Sequence, residues 1–166
     1  MKTLKSALLT LFFATSGHAI AQQQGSITSE SRDASLAYIG TINFIVGRAG
    51  SECLSTLGRS ESPQQFVAVW QQRNAKYVNA AAMYMEKRLE EAQANGGAEK
   101  KAAVFREVTT ASRASGETVV RGWFEKGTKE DACKRAVGLI EARAFDFTPQ
   151  MPMYSELESL ASWAQK

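Results

Sequence analysis

Phe66, Trp70, Arg73, Tyr77 and Tyr84 are spaced so that, at 100° per residue, all five fall within about 60° of one another on a helix. Four aromatic rings beside a guanidinium can form a ligand stripe, in which Arg73 offers a bidentate fork to a carboxylate or phosphate. Trp, Tyr and Arg are also the side chains enriched at protein–protein hot spots. The same spacing equally describes a core-facing stripe, with the Arg73 stem packed and its head paired internally. Trp70, Arg73, Tyr77 and Tyr84 are therefore the candidate ligand- or partner-binding residues, and the core reading stands open beside them.

Other residue groups carry less chemistry. Gln71, Gln72, Asn74, Lys76 and Asn79 give the same helix an amide-rich flank that suits either a site or an ordinary solvated face. Glu86 and Glu90 stand at i,i+4, close enough to share a metal or act as an acid–base pair. Lys87 and Arg88 are interleaved with them, which fits a face laced with salt bridges. Met83 with Met85, and Met151 with Met153, are thioether pairs of a kind that could hold Cu(I). On a helix, however, Met83 and Met85 point about 200° apart. No catalytic residue, metal site or cofactor is assigned.

The positioning elements begin after a targeting segment. Lys2 and Lys5 form a charged n-region, Ala7 to Ala14 a short apolar core, and Ala19-Ile20-Ala21 a small-x-small cleavage site, the order of a secretory signal peptide over residues 1–21. Its apolar run is well below the roughly 20 residues that span a bilayer. Cleavage after Ala21 removes two of the 20 basic residues and the single histidine, His18, leaving 18 basic against 17 acidic residues and a formal net charge of +1. Without an imidazole, Ser-His-Asp and Cys-His nucleophilic catalysis, His acid–base chemistry and Glu-x-x-His di-iron sites are excluded from the processed chain. No basic patch with interleaved aromatics remains to track a phosphate backbone, so nucleic acid is not an expected partner.

Residues 22–31 (QQQGSITSES) are polar and read as a flexible leader, and residues 32–166 as a single helical domain. The first helix spans about 32–57: Ile39, Ile42, Val46, Ala49, Cys53 and Leu57 recur on one stripe, and Gly58 is a C′ stop. Gly40, Gly47 and Gly50 weaken it by about 1 kcal/mol each relative to Ala, so its stability comes from packing, or those glycines let another backbone approach closely. Ser62-Pro63-Gln64-Gln65 is a capping box with Pro at N1. It opens a long second helix that runs to Asn95-Gly96-Gly97 and serves as the spine of the bundle. A third helix covers about 98–115, with Gly116 as a kink or end and Glu117 to Lys126 as a short continuation. Thr128-x-x-Asp131 opens a fourth helix with Cys133, Ala136, Val137, Ile140 and Ala144 inside. Ser155-x-x-Glu158 opens a last one. Trp123, Phe124, Phe145 and Phe147 plug the ends. The expected fold is all-α, a single up-and-down bundle of four to five helices.

Cys53 and Cys133 lie at the centres of two inward stripes. An even cysteine count in an exported chain argues for their pairing, one disulfide that staples the bundle. These features describe a periplasmic or secreted helical protein that acts by binding another macromolecule, a protein partner in the envelope, of inhibitor, immunity or envelope-accessory type. A small-ligand binder centred on Arg73 is the alternative, and an Arg/Glu enzyme independent of histidine a more distant one. No family signature is read from these residues. No transmembrane segment is expected in the processed chain, and its oligomeric state is left open.

Overall fold

The computed structural model describes residues 28–166. The segment expected to be a signal peptide, its expected cleavage site and residues 22–27 of the expected leader lie outside the described residues. Among the described residues five helices follow one another: α1 (Glu30–Cys53), α2 (Pro63–Arg73), α3 (Ala75–Phe124), α4 (Lys129–Glu141) and α5 (Tyr154–Trp163). The chain is all-α, and no helix among the described residues is long and apolar enough to cross a membrane.

Helix α1 begins inside the segment expected to be leader. Ser29 is its N-cap, accepting a hydrogen bond from the Arg32 N–H at 3.3 Å, and Glu30 and Asp33 place negative charge in the first turn, where the helix dipole favours it. Its expected stripe is buried, with Ile39, Ile42, Val46, Ala49 and Cys53 all in the core. Beyond Cys53 one more turn closes at Gly58, where the Arg59 N–H reaches back to Leu54 O at 2.9 Å, the long-range bond of a Schellman stop. Helix α1 packs against α2, α3, α4 and α5, and α3 likewise meets each of the other four, so the segment expected to be the spine shares that role with α1.

The long second helix of the sequence reading is broken at Asn74, which sits at φ −107°, ψ 20°. Its side-chain Nδ2 donates to Trp70 O at 2.9 Å, so the side chain competes with the backbone for a helical carbonyl. Helix α3 then starts at Ala75. Gly96 (φ −174°) and Gly97 (φ 68°) interrupt it, at the stop expected from Asn95-Gly96-Gly97. Gly97 lies in the left-handed region that glycine alone enters without a Cβ penalty. Here the chain reverses. Before the break, Gln71 bonds Asn43 and Tyr84 bonds Asp33, so sequence runs down α1; after it, Ser112 bonds Ala37 O and Glu117 stands opposite Arg48, so it runs up.

Gly116 neither kinks nor ends the second arm, which stays helical to Phe124. Its role is spatial. A Cβ there would run into the Phe44 ring, and one on Gly40 would stand 2.6 Å from Ser112 Oγ. These two positions let α1 and the second arm of α3 approach closely, as the glycines of α1 suggested.

One cap, that of α5, differs from expectation. The Ser62–Gln65 capping box and Pro63 at N1 are present. At α4, Thr128 Oγ1 accepts from the Asp131 N–H at 3.1 Å and donates to the Asp131 carboxylate at 2.7 Å. Helix α5 has Met153 at its N-cap and no side-chain cap. Ser155 donates to Glu156, and Glu158 is drawn to the Lys76 ammonium and the Tyr77 hydroxyl, because a charge-assisted bond outweighs a neutral cap.

Cys53 and Cys133 form a disulfide across 80 residues, with Cα atoms 5.0 Å apart, and both are fully buried. It ties the end of α1 to α4.

Candidate functional site

The stripe on α2 and α3 faces inward. Phe66, Trp70, Tyr77 and Tyr84 are buried, and each aromatic is held by contacts within the chain. Trp70 Nε1 donates to Phe145 O at 3.1 Å, and its ring meets the Phe147 ring edge-on at 5.7 Å. Phe147 also packs against Tyr77 and Tyr38, which puts it at the centre of the cluster. Further along, Tyr84 packs edge-on against Trp163 at 5.3 Å. Its hydroxyl donates to Asp33 at 2.5 Å and accepts from the Ser29 N–H at 3.2 Å. Trp123 meets Phe145 edge-on at 5.9 Å; of the four aromatics expected to plug the ends, Phe147 instead lies at the centre of the cluster and Phe124 lines an open groove.

Arg73 uses the geometry foreseen for it on an internal partner. Its Nε lies 3.1 Å from Asp146 Oδ2 and its Nη2 lies 3.2 Å from Asp146 Oδ1, while Nη2 also donates to Ile140 O at 3.0 Å. The side chains of Arg73 and Asp146 are 24% and 12% exposed. Asn74 completes the clamp. Its Nδ2 donates to Asp146 Oδ1 at 3.1 Å, and its Oδ1 accepts from the Phe147 N–H at 2.8 Å. The connection between α4 and α5 is thus fastened to the α2–α3 break by a fork and an amide, and the Nε–Nη2 edge of the Arg73 guanidinium is spent on that internal carboxylate.

Trp70 and Arg73 nevertheless share one opening. Between α2 and α4 lies a cleft of about 230 Å³. Phe66, Trp70 and Ile140 form its apolar base, and Val69, 54% exposed, stands at its edge. Arg59, Glu61 and Glu141 frame it: Arg59 Nη2 is 2.7 Å from Glu61 and Nη1 is 2.9 Å from Glu141. The Glu141 hydrogen bond, followed by that to Glu61, pushes the Arg59 guanidinium above its ordinary range. Tyr77 and Tyr84 do not reach this cleft.

No family model, curated protein or solved structure matches the chain.

The cleft residues Arg59, Glu61, Val69 and Glu141 were not singled out from the sequence, and Ile140 only as an inward residue of the fourth helix. Val69 alone carried a signal, an apolar residue one turn before Arg73 and off the buried stripe. Among the remaining candidates the amide-rich flank is not one solvated face, since Asn74 is buried in the clamp. Gln71 links α2 to α1 through Asn43 at 2.8 Å, while Gln72 and Asn79 are exposed. Glu90 pairs with Lys87 on a solvated face. Met85 packs on the core, and Met151 accepts the Tyr38 hydroxyl. No cluster of three or more potential metal ligands exists among the described residues.

One titrating group sits at the α3–α5 contact. Glu158 Oε1 lies 2.6 Å from Lys76 Nζ and 2.5 Å from the Tyr77 hydroxyl. The Lys76 ammonium, then the Tyr77 hydroxyl, holds its carboxyl below the usual range, while burial, aided by Glu158, raises the Tyr77 phenol. A lowered carboxyl contributes stability above its unfolded pKa of about 4.3, lost as pH falls through the folded value. Glu158→Gln is therefore expected to be less stable than the parent at pH 7, with the gap closing below about pH 4. Urea unfolding across pH 2.5–7 checks it; a gap of constant size would refute the assignment.

Proposed function

We propose that this chain is an exported binding protein, an up-and-down helical bundle that receives an apolar anchor side chain of a protein partner in the α2–α4 cleft. The observation that carries this reading is the size and lining of that cleft. At about 230 Å³ it lies below the roughly 300–1,000 Å³ of small-molecule sites, yet an apolar base under a charged frame suits one inserted side chain. Hot spots are built this way, with an anchor in a desolvated pocket and a polar surround that excludes water. The commitment of the Arg73 fork to Asp146 weighs against the small-ligand alternative centred on that residue. Export is supported by the disulfide, since such bonds persist in oxidising compartments, and by the three-part signal at residues 1–21.

Site-specific photo-cross-linking in producing cells tests the reading. A photoreactive phenylalanine analogue at Val69 is expected to give a discrete adduct. The same group at Met83, 47% exposed on α3, is expected to give none. Identical adducts from both positions, or none from Val69, would remove the proposal.

A further inference from the structure

A second groove, sharing no residue with the first, opens where the C-terminal part of α1, the end of α3 and the start of α4 meet. Its volume is about 500 Å³, inside the range typical of small-molecule sites. Val120 and Phe124 supply its apolar wall, and Arg48, Arg121 and Lys129 line it.

Glu52 and Glu117 line it too, but both stand opposite Arg48. Arg48 Nη2 lies 3.0 Å from Glu52 Oε1, and Nε lies 3.8 Å from Glu117 Oε1. The second separation is too long for a hydrogen bond. Nε is shielded from solvent and donates to nothing among the described residues, a kind of group whose persistence calls for an explanation. Arg121 and Lys129 have no hydrogen-bond or ion-pair partner among the described residues. Three cations against two carboxylates leave the lining with one net positive charge, and the two cations without a partner, Arg121 and Lys129, flank an apolar wall.

We propose that this groove binds a small oxyanion, a phosphate or carboxylate head, carried on a short apolar chain. Arg121 offers a planar fork and Lys129 a mobile point charge, complementary ways of holding oxygen atoms. The chain lies against Val120 and Phe124. Glu117 opposes the bound anion, and its removal therefore strengthens binding.

Isothermal titration calorimetry of the full processed protein tests this with octyl phosphate, octanoate, inorganic phosphate and octyltrimethylammonium, each below its micelle concentration. One or both anionic amphiphiles are expected to bind saturably, one to one, with Kd below about 1 mM. Whichever head binds more tightly identifies phosphate or carboxylate as the natural one. Inorganic phosphate is expected to be weaker by about tenfold or more, and the Arg121→Gln/Lys129→Gln double variant to lose about tenfold. Glu117→Gln is expected to gain several-fold, and Val69→Asp to change nothing. Arg121 and Lys129 are exposed, so the double variant should keep its far-ultraviolet circular dichroism. Absence of saturable binding by either anionic amphiphile overturns the proposal. So does equal binding of the cationic amphiphile or of inorganic phosphate, or an unchanged affinity in the double variant.

Discussion

Replacing Cys53 and Cys133 together by alanine is expected to lower the free energy of unfolding by about 4.5 kcal/mol, the loop-closure term for a cross-link spanning some 80 residues. The bond joins the end of α1 to α4 across a separation of 80, so the unfolded chain that it restrains contains α2 and all of α3. Folded proteins of this size commonly hold 5–15 kcal/mol in total. The double variant should therefore be only marginally folded at 37 °C. Guanidinium unfolding of the oxidised parent, the reduced parent and the variant checks this. The last two should agree, and a loss under about 1 kcal/mol in both would show that the ring restrains little.

Trp70→Ala is expected to cost about 3–5 kcal/mol, the range for removing a fully buried large aromatic. Trp70 is fully buried, packs on Phe147 and bonds Phe145 O through its indole nitrogen. Trp70→Phe separates these contributions. It keeps most of the packing but leaves the Phe145 carbonyl without its donor, which adds about 1 kcal/mol to the smaller loss of volume. Thermal and urea unfolding of both variants give the comparison, and equal losses would show that the packing which phenylalanine keeps contributes nothing. Because Trp70 also lines the α2–α4 cleft, Val69, exposed at its edge, is the better position for testing a partner.

Much of the architecture could be read from local chemistry. The Ser62–Gln65 cap, the Gly58 stop, the reversal at Gly96-Gly97 and the pairing of Cys53 with Cys133 each rest on residues whose conformational or covalent preferences are strong by themselves. The break at Asn74 could not be read in this way. Asn74 interrupts a good helical pattern because its side chain can bridge Trp70 O, Asp146 and the Phe147 N–H, and Asp146 and Phe147 lie more than 70 positions further on. For the same reason the stripe of aromatics was legible while its meaning was not. Periodicity places Trp70, Arg73, Tyr77 and Tyr84 on one face, but only the position of the 142–153 connection decides that Arg73 spends its fork on Asp146. The cleft was invisible because Arg59, Glu61 and Glu141 resemble ordinary solvated charges until the chain brings them together.

The position of α1 at the centre bears on when this protein can fold. Helical chains usually fold early, through contacts between near neighbours in sequence. Here the first helix finds its partners 51 residues on at Tyr84, 75 on at Ser112, 80 on at Cys133 and 113 on at Met151. A chain emerging from its N-terminus can therefore cover α1 early with α2, as where Gln71 bonds Asn43, but the rest of its apolar face waits until almost the whole sequence is available. Such a delay suits a polypeptide that is passed through a membrane unfolded and assembles its core only on the far side.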